Sequence, residues 1–464
     1  MTDSEPHQEP GSSGKPFQPG RRHGPSRASR DAPPPHSLVL CGARLADGRT
    51  VDVRLVADRI EAVGTAGSLG AGHDAGARVD LSGYLLLPAP AEPHAHYDTA
   101  LTAGTDPPHA APLRHRARTR DAHAAVGPEP PSPDDTQRRA TEAALLQLGH
   151  GATALRTHVR VGDVVGLRAL EAVLQARRAL RGLVELSTVA VPRLLTGAAG
   201  SEGLAMLRDA VKMGANAVGG CPDLDPDPGG YVEAVLDVAA EHGCAVDLHT
   251  EGGDPARLTR LAAAAGGLRP GVSIGPCGGL ARLPHQVAQR TADQLAAAGV
   301  TVVALPQGNC GVLERPSPAT PSRTAPVRVL AAAGVSVAAG SGALRDACNP
   351  VGRGDPLEAA YLLASHGEAS PADAYETVSG RARAAMGLPE VRVEAGFPAE
   401  LLAVRGTGLA STLSLAYSRI VVHRGRVVAR TSAVREFCDL VPSGSGSGSA
   451  SATGEAGLPR QSQG

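Results

Sequence analysis

The chain has 464 residues, enough for one large domain and a smaller one, and its formal net charge is −1. That balance excludes a long-range electrostatic pull toward nucleic acid or an anionic membrane. With aromatics at 2 % and Trp 0, an aromatic platform for stacking bases is excluded as well, and the core must be built from Ala, Val and Leu.

Residues 1–36 are rich in Gly, Pro, Ser and Arg with almost nothing apolar, and are expected to be disordered. No positively charged start leads into an apolar stretch, and no apolar run is long enough to cross a bilayer. Seven cysteines without a Cys-x-x-Cys spacing read as reduced thiols, so a cytoplasmic protein is expected.

From Ser37 to Val79 the chain reads as short strands and turns: Leu38-Val39-Leu40, then Val51–Leu55 with period two, then Arg59–Gly64. Glu400–Val404 and Ser418–Val428 look the same near the other end. These two pieces, 37–83 and 394–438, are expected to pair into a small composite β-sandwich that brings the ends of the chain together. Beyond it, 439–464 is a flexible Gly/Ser segment.

Between them, residues 84–393 alternate short apolar runs with Ala/Leu/Arg-rich helical stretches. The run Tyr84–Pro88 opens the series. It continues through Thr153–His158, Leu183–Val191, Ala215–Gly220, Ala245–His249, Val272–Gly275, Val300–Leu305 and Val335–Gly340. Eight strand–helix repeats predict an α/β fold, a (β/α)8 TIM-like barrel; a doubly wound open sheet is the other arrangement. Helices end in Gly just before the next strand at Gly243, Gly299 and Gly334. Thr105–Asp135 breaks the rhythm, and its Pro, His and Arg content favours a disordered connection over a lid.

Histidines stand out at two strand ends. His94-Ala95-His96 follows a buried run, and positions i and i+2 of a strand face one side, so both imidazoles can address one point. Two hydrogen-bonded surface histidines are the alternative. His249 ends the run Ala245-Val246-Asp247-Leu248, where it is either a ligand or a core histidine closing a strand.

The stretch Pro90–Gly104 resembles the first metal motif of the cytosine deaminase branch of the amidohydrolase superfamily. Supporting matches are Leu155-Arg156-Thr157-His158-Val159, Val246–His249, Leu305–Asn309 and Arg345–Pro350. The resemblance implies one divalent metal ion, zinc or iron, at the C-terminal mouth of the barrel, and hydrolysis of a C–N bond in a small cyclic amidine or amide. It implies His94, His96 and His249 as metal ligands, Glu251 as the proton-handling group, and Arg193, Gln307 and Asn309 as substrate-binding residues. The expected partner is a small-molecule ligand, with packing of Ala-rich helices into a homo-oligomer left open.

The sequence departs from the pattern at four places, one of them Arg193, which stands where the family uses a glutamine to hold the base. Pro276 or a neighbour stands at the strand-six His position, Gly342 at the strand-eight Asp position, and Glu251 one residue early, with Gly252 in its slot. A general base lost at strand eight costs about two to four orders of magnitude in rate. The alternative is therefore a non-catalytic relative that keeps the scaffold for ligand or partner binding.

Overall fold

The fold is described from a computed structural model, covering residues 37–69, 77–103, 132–162, 166–198, 200–308, 323–346 and 348–434. The expected disordered tails, almost all of Thr105–Asp135, and Asn309 lie outside the described residues.

The chain opens with β1 (Ser37–Arg44), β2 (Thr50–Val56), β3 (Arg59–Thr65), β4 (Ala77–Asp80) and β5 (Tyr84–Pro88). Their partners come from the far end of the sequence: β14 (Leu401–Arg405), β15 (Arg419–His423) and β16 (Arg426–Thr431). Hydrogen bonds join them in the order β16-β15-β14-β5-β1-β2-β3, with β4 on β1. Five neighbouring strands of this largely antiparallel sheet bury Leu40, Val53, Leu55, Ile60, Leu86 and Leu401 in one apolar cluster.

The run Tyr84–Pro88, expected to open the barrel, belongs to this sheet instead. It pairs antiparallel with β14, from Leu401↔Pro88 to Arg405↔Tyr84. The barrel begins after a break at Ala89-Pro90, with β6 (Ala91–Ala95).

The other seven barrel strands are β7 (Ala154–Val161), β8 (Glu185–Pro192), β9 (Ala217–Gly220), β10 (Ala245–Thr250), β11 (Val272–Pro276), β12 (Thr301–Ala304) and β13 (Val337–Ala339). They are parallel and follow one another in sequence order. Both faces are covered, which is why they read as apolar runs rather than alternating ones. The ring closes where the Gly342 amide donates to the His94 carbonyl at 3.0 Å, with Ala95 opposite Gly342.

Helices fill the intervals, and several start at an Asp or Ser followed by Pro. Ser132 caps α1 (Pro133–Gly149), accepting from the Asp135 amide. The same device recurs at Asp227-Pro228, Asp254-Pro255, Asp355-Pro356 and Ser370-Pro371. At the other ends Gly243, Gly299 and Gly334 take positive φ, as expected of residues that stop a helix. No helix among the described residues is long and apolar enough to cross a membrane.

Candidate metal centre

The period-two alternation of barrel strands stacks their inward residues in layers. Arg156 and His158 share a face of β7, and Asp247 and His249 share a face of β10. In the lower layer Arg156 Nη1 donates to Asp247 Oδ2 at 3.0 Å, a pair with almost no exposed surface. Above it, at the strands' C-terminal ends, lie the histidines.

His94, His96, His158 and His249 form one cluster, each offering a ring nitrogen within 4.8 Å of the others. His96 Nε2 is 3.3 Å from His94 Nε2 and 3.2 Å from His249 Nε2. All four are buried, from 0 to 5 % exposed. Burial pushes every imidazole toward its neutral form, His96 and His249 down to about 3 and His94 and His158 well below the ordinary value. The Nδ1 atoms of His94 and His249 and both ring nitrogens of His158 find no hydrogen-bond partner. The Nε2 atoms of His94, His96 and His249 face one another, and buried, neutral nitrogens crowded together in this way are costly unless something accepts their lone pairs. The set fits a divalent ion such as zinc or iron, for which neutral imidazole is a common ligand.

The structure therefore brings together the three histidines read from the sequence and adds His158. Asp247 Oδ1 lies 3.5 Å from His158 Nε2, so the carboxylate that Arg156 holds also faces the added imidazole.

The loop after β6 is fixed from α1. Arg139, buried, donates to the carbonyls of Asp98 and Ala100 and pairs with Asp135. Asp98, also buried, accepts from Arg160 Nε at 3.0 Å. Below the histidines Glu92 is fully enclosed, and burial raises its carboxyl to about 7 despite hydrogen bonds from Ser341 and His94.

The remaining residues read from the sequence sit around the mouth. Glu251 follows β10 and is buried; it stands outside the histidine cluster, with Oε2 3.9 Å from Arg282 Nη2. Its amide donates to Asp223, which also accepts from Thr250. Arg193 lies exposed just past the end of β8. Gln307 follows β12; its Nε2 donates to the Asp355 carbonyl at 2.6 Å and its Oε1 is buried without a partner. Pro276 ends β11 and is followed by the buried Cys277, so no imidazole stands at that strand end. Gly342 has φ +71°, and a Cβ there would face Leu305 and the Gly308 carbonyl rather than the histidines. Among the described residues no carboxylate joins the four-histidine group. Asp346 is occupied by Thr99, Cys348 and Asn349.

A family model described as Amidohydrolase family matches residues 131–429, well over half of the chain. The chain belongs to the amidohydrolase family. Its relatives include pterin deaminase from Rhizobium rhizogenes, 30% identical over 310 residues, which cover 64% of this chain and 70% of that protein. Among solved structures, N-isopropylammelide isopropylaminohydrolase from Burkholderia multivorans has a TM-score of 0.71 at 26% identity, over 86% of this chain and 100% of that one. The 5-methylcytosine deaminase from Klebsiella pneumoniae, liganded with 5-fluorocytosine, shares the fold at a TM-score of 0.69 and 23% identity, over 86% of this chain and 99% of that one. This amidohydrolase thus has deaminases among its relatives and keeps a cluster of histidines that could hold a metal ion.

Proposed function

We propose that this amidohydrolase hydrolyses a C–N bond, other than a peptide bond, in a small cyclic amidine or amide. Ammonia or an amine is released from a planar nitrogen heterocycle. The observation that carries this assignment is the convergence of four buried, neutral imidazoles at the C-terminal ends of the barrel strands. A divalent ion, zinc or iron, supplies Lewis acidity when bound and acidifies water near neutral pH.

The chain's own groups supply the rest. Glu251, two residues past His249, is assigned the transfer of protons between the attacking water and the departing nitrogen. The unpaired Oε1 of Gln307 offers an acceptor to a ring N–H or amino group. Arg193 offers donors to a ring carbonyl from the end of β8. Asn309, two residues past Gln307 in the sequence, is assigned as a further substrate-binding residue. Relatives named pterin deaminase and N-isopropylammelide isopropylaminohydrolase support the release of ammonia or an amine from a small molecule.

A second function, ligand or partner binding without catalysis, is favoured by one specific feature. The turn after β13 carries Gly342, and the described residues place no carboxylate in the histidine cluster.

Ammonia release from cytosine, pterin and amino-triazines, measured beside metal content, separates the two. Turnover with about one ion per chain is expected. Glu251→Gln should keep the metal and lower kcat by about two to four orders of magnitude. Metal-loaded, folded protein that releases nothing from any of these rings would favour the non-catalytic function, and unchanged turnover in Glu251→Gln would remove Glu251 from the assignment.

A further inference from the structure

We infer that the buried hydrogen-bonded chain Glu92–Ser341–Gln147–Tyr97 is a set of positioning residues that fixes the histidine cluster and so sets its affinity for the ion. This rests on the assignment of the cluster as a metal centre.

All four side chains are fully buried. Glu92 accepts from the His94 amide at 2.9 Å, from the Ser341 amide at 2.9 Å and from the Ser341 hydroxyl. Gln147 Nε2 donates to Ser341 Oγ at 3.0 Å, and the Tyr97 hydroxyl donates to Gln147 Oε1. The chain thus spans the seam where β6 meets the turn after β13, and continues into α1. Each end is anchored at a histidine. Glu92 holds the backbone of His94. Tyr97 follows His96, and its amide donates to Thr157 Oγ1 at 2.8 Å, with His158 the next residue along.

The seat for the carboxylate is built as well. A Cβ at Gly340 would lie 2.5 Å from Glu92 Oε1, so a side chain there would displace it. A seam between two strands can be closed by apolar packing at no cost in stability, and often with a gain. Four enclosed polar groups under a cluster of ligands instead restrict that cluster to one arrangement, because a fully satisfied network polarises and stiffens its members. Outer partners of metal ligands act in this way, by fixing orientation.

The test is cobalt(II) titration of the full-length protein, followed by visible absorption. Gln147→Leu removes the link between Tyr97 and Ser341 without touching any ligand. It should weaken cobalt binding by about ten- to a hundredfold and alter the d–d absorption envelope. Tyr97→Phe, which deletes one hydroxyl, carries the same expectation in direction should Gln147→Leu fail to fold. Val235→Ala, in an outer helix, lowers stability by cavity formation and should change neither readout. Unchanged affinity and an unchanged envelope in both variants would overturn the inference. Failure of the wild-type protein to bind cobalt at all would overturn the metal assignment and this inference with it.

Discussion

His158→Ala is expected to reduce the affinity for a divalent ion by more than about a hundredfold, beyond the ten- to hundredfold that loss of an outer partner produces. His158 is one of four nitrogens within 4.8 Å of each other, and the other three alone lack a carboxylate among the described residues to complete the set. Equilibrium dialysis against zinc and cobalt measures the change directly. Stability gives an independent readout. A ligand that binds the folded state alone raises the melting temperature by mass action, so added metal should stabilise the wild type strongly and His158→Ala weakly.

The metal-free protein should also be acid-sensitive, and the sign follows from the depressed pKa of each imidazole. Below about pH 6.5 the unfolded chain takes up protons at these four positions while the folded chain does not, so stability falls as pH falls. Glu92 works in the opposite direction. Its raised carboxyl loses stability as pH rises from 4.5 toward about 7. Four groups against one leave the histidines in control between pH 7 and 5. His158→Ala should therefore show a shallower loss than the wild type when both are metal-free. Equal metal affinity in the two proteins would show that His158 is a bystander.

Arg419→Met should cost about 3–5 kcal/mol, the cost of leaving one partner of a buried ion pair alone. Arg419 on β15 reaches across to the N-terminus of the helix Pro356–Ser365 and grips both oxygens of Asp355, at 2.8 and 2.7 Å. The same guanidinium donates to the His150 carbonyl at 2.5 Å and to the Ala416 carbonyl at 3.1 Å. Both side chains are about nine-tenths enclosed or more, so solvent does not screen the loss. Asp355 accepts from the Leu357 amide as an N-cap, and its carbonyl receives Gln307 Nε2, so the pair also supports one wall of the mouth. The bonds from Arg419 hold the Asp355 carboxyl below the usual carboxylate range against burial, and this stabilisation is lost as pH falls through that depressed value. Denaturant unfolding checks the magnitude. Adding Asp355→Asn to Arg419→Met should recover part of the loss, since the stranded charge is then gone. A change under about 0.5 kcal/mol would place the pair among contacts that contribute nothing net.

Much of the barrel was legible because parallel strands covered on both faces appear as uninterrupted apolar runs, and because the interval between them repeats. Tyr84–Pro88 has the same composition as those runs, and only its partner distinguishes it. That partner, Leu401–Arg405, lies more than 300 residues further along, and pairing over such a distance leaves no local trace. His94 and His96 were visible because they share one strand end, and His249 because it closes an apolar run. His158 stood in plain view in Leu155-Arg156-Thr157-His158-Val159, but a single histidine on a strand says nothing of its neighbours. The register between β6 and β7 shifts between Glu92 and Ala95, and that irregularity sets Thr157 opposite Ala95 and places His158 at the cluster. The signal that could have found it is the shared alternation of Arg156/His158 and Asp247/His249, each a charged residue two positions before a histidine. Glu251 is placed near the mouth but outside the cluster, because the loop after His249 turns its amide toward Asp223.

The most direct test of a four-imidazole centre is X-ray absorption at the zinc edge of the zinc-loaded, full-length protein. Four nitrogen scatterers at about 2.0–2.1 Å, with the multiple scattering of imidazole rings, are the expected result. A shell with three or fewer imidazoles, or one containing sulfur, would contradict it.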